Sequence, residues 1–109
     1  MDDRRTHPRI ARQLLVDHIL GEHDHCLCVT EDLGPEGLRL AGVPGHGWGA
    51  PRYAWLQFRL PDGGPPVRAL GELLYEEPGR GSERVRGYRF KYLNPHARRR
   101  YTAWLAAAA

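Results

Sequence analysis

VRALGELLYEEPGRGSERVRGYRFKYL, residues 67–93, decides the fold. Two runs rich in Val, Leu, Tyr and Phe flank PGRGSE, whose Gly, Pro and Ser are turn formers, so the segment reads as an antiparallel hairpin. Just upstream, RYAWLQFRLP (52–61) alternates strictly. Ala54, Leu56, Phe58 and Leu60 fall on one face, and Tyr53, Trp55, Gln57 and Arg59 on the other, the mark of a strand with one buried side. Pro61 ends the run and PDGG turns the chain.

Towards the N-terminus, ARQLLVDHIL (11–20) and DHCLCVTEDL (24–33) form a further pair around Gly21 and Glu22, followed by a shorter strand, EGLRLAG (36–42). This makes an all-β chain with a six-stranded antiparallel β-barrel as the expected architecture. Only the end is helical. Asn94 and Pro95 suit the cap and first position of a helix over residues 94–109, and Tyr101, Trp104 and Leu105 share one face. On this reading that face packs on the barrel while Arg98 to Arg100 mostly face water.

The chain has 109 residues, enough for one core and one domain (1–109). A hydrophobic fraction of 41% against 27% charged excludes global disorder. MDDRRTHPR lacks the apolar segment of a secretory leader, and the longest apolar run, Ala103 to Ala109, is too short to span a bilayer. The expectation is a cytoplasmic protein without membrane insertion.

GVPGHGWGAPR (42–52) is glycine-rich but lacks the Gly-Lys-Ser/Thr ending of a phosphate-binding loop and precedes a strand, so it reads as a surface loop. Cys26 and Cys28 would share one strand face about 6.6 Å apart, a poor disulfide geometry. They read as reduced and packed. His23 and His25 point to the opposite face, so this segment is not expected to converge on a metal. The six histidines sit mostly in loops on this reading, and no nucleophile or zinc-hydrolase signature accompanies them. Glu76 and Glu77 are adjacent and diverge on a strand, so they are not a catalytic pair. No enzyme active site is expected.

A net charge of +3 suits an anionic partner without demanding nucleic acid. Lys91 is the only lysine. Arginine grips phosphate and guanine edges as a rigid fork, which lysine cannot do, but codon preference alone can enrich arginine, so placement must carry the argument.

Two placements do. RRTHPRIAR (4–12) crowds arginines before the first strand, and DLGPEG (32–37) sets an acceptor and two glycines at the entry to the third. With these the chain resembles the PilZ domain family of cyclic di-GMP receptors. That family carries Arg-x-x-x-Arg before its first strand, matched by Arg5 and Arg9 with Arg4 preceding. It also carries Asp/Asn-x-Ser-x-x-Gly, matched by Asp32 and Gly37. Gly34 departs from the pattern, standing where serine is usual. LGELLYEE, GYRFKYL and the terminal helix also look like that family's later elements.

The resemblance implies a non-enzymatic receptor without a cofactor. Arg5 and Arg9, on a flexible arm (1–12), would close over the two phosphates and the guanine edges of the ligand. Asp32 would accept from a guanine, in a turn before the third strand. Arg4 would stack on a guanine, the position that accompanies binding of a stacked ligand dimer. Gly37 leaves room for a ligand or for another backbone. An unidentified protein partner, in motility or biofilm control, would read the ordered arm. Two other readings stay open: an adaptor of the same fold that has lost the nucleotide, and a single-stranded nucleic-acid binder using Trp48, Tyr53 or Trp55.

Overall fold

The computed structural model describes residues 9–45 and 51–108. Six strands close a barrel in the order β1-β2-β3-β6-β5-β4: β1 (Leu15–Gly21), β2 (Asp24–Gly34), β3 (Gly37–Pro44), β4 (Tyr53–Phe58), β5 (Val67–Pro78) and β6 (Glu83–Leu93). Every pairing is antiparallel, and β4 closes on β1 with Val16 opposite Phe58. One helix follows, α1 (Pro95–Ala108). The six-stranded barrel with a C-terminal helix is the architecture expected from the sequence.

The alternation read in residues 52–61 is the alternation of burial: Ala54, Leu56 and Phe58 are buried, and Tyr53 is exposed. The barrel interior joins them to Val16, Leu33, Leu38, Leu40, Val67 and Tyr88. Helix α1 stoppers one end. Asn94 Oδ1 accepts from the His96 N–H at 2.9 Å, the cap expected there. Tyr101 and Leu105 enter the core, and Phe58 and Phe90 meet the Tyr101 ring edge-on at 5.8 and 5.5 Å.

Two expectations need correction. Arg98 and Arg99 are exposed, but Arg100 is not a solvated side chain: it donates to Asp62 at 2.9 Å and to the Pro65 carbonyl at 2.9 Å. It thereby fastens the β4–β5 connection to the helix, and this contact together with the Gly64 N–H lowers the Asp62 pKa. Asp32 lies in β2, not in a turn; the turn is Pro35 and Glu36. His18 lies in β1, in the run read as the first strand, and points inside the barrel, 1% exposed.

His18 belongs to a buried polar chain. Its Nε2 is 2.7 Å from the Tyr88 hydroxyl, which also receives Arg86 Nη1 at 3.5 Å, and Arg86 Nε donates to Glu76 at 2.7 Å. Arg86 is fully buried, a costly place for a charge unless it is paired and hydrogen-bonded, and Glu76 supplies that pairing from the half-buried rim. Among the described residues no buried side-chain N or O atom lacks a partner.

On the outer wall Glu72 joins three elements: it accepts from Arg89 of β6 and, at 3.0 Å, from Arg52 just before β4. Arg89 first, then Arg52, hold its pKa below the ordinary carboxylate value. A depressed folded pKa gives stability that is full above the unfolded carboxylate value and is lost as pH falls through the folded one. Thermal unfolding should therefore change little above about pH 6 and weaken below about pH 4. Glu72→Gln should melt earlier than the parent near neutral pH, with the difference shrinking in acid. An acid-independent difference would assign Glu72 a role in packing alone.

Candidate functional site

Alternation fails once along β2, and the site is built on that failure. Cys28 and Thr30 face inward, and strict period-two geometry would turn Asp32 inward as well. A β-bulge between Thr30 and Asp32 adds one residue to the strand, so that Thr30 pairs with Leu40 and Asp32 with Arg39. Thr30 and Leu33 are buried, while Glu31 is exposed and Asp32 half-exposed. The bulge aims a carboxylate outward at the strand end, the service such irregularities commonly perform.

The same stretch anchors the segment before β1. Ile10 and Leu33 exchange backbone hydrogen bonds of 2.8 and 2.9 Å. Thr30 Oγ1 accepts from the Leu14 N–H at 2.8 Å and donates to the Arg12 carbonyl at 2.6 Å. The Thr30 N–H donates to the Leu14 carbonyl at 2.9 Å. Of the arm expected to be flexible through Arg12, residues 9–12 thus run alongside β2, tied to it at Ile10 and Arg12. Arg4 and Arg5 lie outside the described residues.

Arg9 reaches Asp32 across 23 positions of sequence. Its Nε donates to Asp32 Oδ1 at 2.7 Å, and Nη2 bonds the same oxygen. Both side chains keep about a quarter of their surface open, 25% and 28%, so the pair is accessible and worth at most about 1 kcal/mol. Gly34 makes this posture possible. A Cβ on Gly34 would lie 3.1 Å from Arg9 Nη1 and 3.2 Å from its Cγ, so any larger residue would lift the arginine by a few tenths of an ångström.

The floor of the site comes from the helix. Tyr101 is fully buried and its hydroxyl donates to the Gly34 carbonyl at 2.7 Å. Burial raises the Tyr101 pKa, with Arg9 acting the other way. The Phe90 N–H donates to the Glu36 carbonyl at 2.7 Å, so β6 fixes the turn. Gly37 serves β6 as well: a Cβ there would run into the Tyr88 carbonyl and lie 3.1 Å from the Arg89 Cα. Of the two uses foreseen for this glycine, the close approach of another backbone is the one the structure displays.

The structure therefore brings Arg9, Asp32 and Gly34 together, with Gly37 one turn away. Thr30 and Tyr101 complete the site and escaped sequence reasoning. Tyr101 reads as core, and a hydroxyl reaching a carbonyl 67 positions away leaves no local signal. The aromatics considered for nucleic acid are less open than they look in sequence. Arg68 covers Trp55 at 5.0 Å and Arg52 covers Tyr53 at 5.4 Å, while Trp48 is outside the described residues. No helix is long and apolar enough to cross a membrane among the described residues.

No protein-family model matches the chain, and no curated protein does. Solved structures do. The PilZ domain with c-di-GMP of YcgR from Escherichia coli superposes with a TM-score of 0.72, covering 96% of this chain and 91% of that one at 12% identity. The chain has the PilZ-domain fold. The Bacillus subtilis inhibitor of motility, MotI/DgrA, superposes with a TM-score of 0.80 over 98% of this chain at 11% identity. This PilZ-fold chain spans 51% of that protein.

Two substitutions test the framework beneath the site. Gly37→Ala should lose about 1–3 kcal/mol of stability or more, because the obstacle is strand backbone that cannot yield. Tyr101→Phe should lose about 1 kcal/mol. Both are read as lower urea midpoints; an unchanged midpoint for Gly37→Ala would mean that β3 and β6 are not packed as described.

Proposed function

We propose that this chain is a cyclic di-GMP receptor that acts through contact with a partner protein, not an enzyme. The observation that carries the reading is the meeting of Arg9 and Asp32, the two recognition groups of the sequence motifs, at one rim of a PilZ-fold barrel. The bound c-di-GMP named for the YcgR domain supports the ligand class.

The chemistry suits an exchange. Cyclic di-GMP offers phosphate oxygens and guanine O6/N7 acceptors to arginine, and guanine N1/N2 donors to a carboxylate. Without ligand, Arg9 and Asp32 satisfy one another. With ligand, a phosphate or guanine edge takes the place of the carboxylate on Arg9, while a guanine takes the place of Arg9 on Asp32. Charge-assisted bonds are replaced by charge-assisted bonds, so opening the half-exposed pair costs little. Arg5 and Arg4 close from the preceding segment, Arg4 by stacking. A second, stacked ligand is part of this proposal.

Gly34 modulates the exchange. A serine hydroxyl would add one hydrogen bond, a net gain of about 0.5–1.5 kcal/mol, and its Cβ would lift Arg9 off β2. Gly34→Ser should bind a few-fold to about tenfold tighter. The same departure at Gly34 is what favours the second reading, an adaptor that no longer takes the nucleotide.

Isothermal titration of cyclic di-GMP into the full chain decides, with cyclic di-AMP as control. Saturable binding, weakened about ten- to a hundredfold in Arg9→Ala, is the expected result. A stoichiometry near two would support the stacked dimer. Absence of binding in both the parent and Gly34→Ser would overturn the receptor reading in favour of the adaptor.

A further inference from the structure

Strand pairing assembles sulfur and imidazole where sequence reasoning found none. The metal reading of residues 18–28 fails within β2, because His23 and His25 diverge from the cysteines. Across the β1–β2 hairpin, however, His18 of β1 is the register partner of Cys26, and Val16 that of Cys28. All three donors face inward. The two Sγ atoms are 3.5 Å apart, and Cys26 Sγ is 3.9 Å from His18 Nδ1. Cys28 is buried, whereas Cys26 is half-buried and gives the pair an opening to solvent.

We propose that Cys26 and Cys28 form a chelating pair for a thiophilic d10 cation, with His18 as the adjacent third donor. This inference does not depend on the nucleotide reading. An ion at the usual metal–sulfur distance of about 2.3 Å from each Sγ would see them at an angle of about 100°, close to what such ions accept in three- and four-coordinate sites. A disulfide fits less well: the sulfurs would have to approach by about 1.5 Å on a strand that holds the Cα atoms near the upper limit for bridging.

Burial and the neighbouring Cys26 push the Cys28 pKa up, with Arg86 acting the other way, so the bound ion itself must drive loss of the thiol protons. His18 Nε2 is already bonded to Tyr88 OH at 2.7 Å, the outer partner that orients a histidine ligating through its other nitrogen. The donors are not a finished cage, since no three such side chains among the described residues already surround one point. Binding therefore rests on the sulfur pair, with His18 or water completing the shell, and each thiol releases its proton to solvent.

The test is titration of the reduced full chain with Cd2+, with Zn2+, and anaerobically with Cu(I) against a competing chelator. The expected result is a sulfur-to-metal charge-transfer band saturating at one ion per chain, weakened at least about tenfold in Cys26→Ser. It should persist in a His23→Ala/His25→Ala variant, which removes exposed imidazoles only. Tighter binding of Cu(I) than of the divalent ions would assign a monovalent occupant, and the reverse a divalent one. Cys26→Ser replaces a half-buried group and is expected to fold; its melting curve checks this. No band with any of the ions, or a band unchanged in folded Cys26→Ser, would overturn the proposal and leave the cysteines as core packing.

Discussion

One extra residue in β2 governs the rim of this barrel. Without the bulge between Thr30 and Asp32, period-two alternation would send Asp32 into the interior and expose Leu33, an apolar side chain now fully buried. With it, Thr30 and Leu33 both point inward although three positions separate them, and Asp32 is turned out towards Arg9. On its other edge β2 pairs with β1 only as far as Leu15↔Val29, and residues 10–14 bond the edge beyond. Leader segment, carboxylate and helix stopper thus converge on a few residues of one strand.

The strands were legible because apolar runs, strictly alternating in β4, are separated by turn residues, and the helix because Asn94 and Pro95 announce it. The bulge was not legible: its cause is a pairing register with β3, and no local pattern in VTEDLG declares it. Period two alone placed Cys26 and Cys28 correctly on one face. It gave no means of seeing His18 opposite them, since cross-strand neighbours depend on the turn at residues 22 and 23 and on the register it sets. Arg86 was equally hidden. In RVRGYRFKYL it looks like a solvated arginine, and only barrel closure shows that its guanidinium lies inside with Tyr88 and reaches Glu76.

The arginines divide by partner, which their number in the sequence could not reveal. Arg39, Arg52, Arg86, Arg89 and Arg100 bind carboxylates that join separate elements, so they belong to the framework. Arg9 also holds a carboxylate, but on the rim beside the third-strand turn, over a glycine that leaves its guanidinium free to lie flat. A half-exposed pair is the kind a dianionic ligand can open at small cost, whereas the buried Arg86 contact is not. Exposure does not draw this line, since Arg39, Arg52 and Arg89 keep 31%, 72% and 55% of their side-chain surface open; among the described residues Arg9 is set apart by pairing with Asp32 over Gly34.

The central claim is that Arg9 and Asp32 exchange one another for ligand. Its most direct measurement is the Arg9 Nε–H resonance by nitrogen-15 NMR, followed in the free chain and during titration with cyclic di-GMP, with assignment by Arg9→Lys. The account predicts a slowly exchanging Nε–H in the free protein that collapses in Asp32→Ala, and a shift to a new position as ligand saturates. Saturation of the chain by ligand with the Arg9 resonance unmoved, or a free-state resonance indifferent to Asp32→Ala, would contradict it.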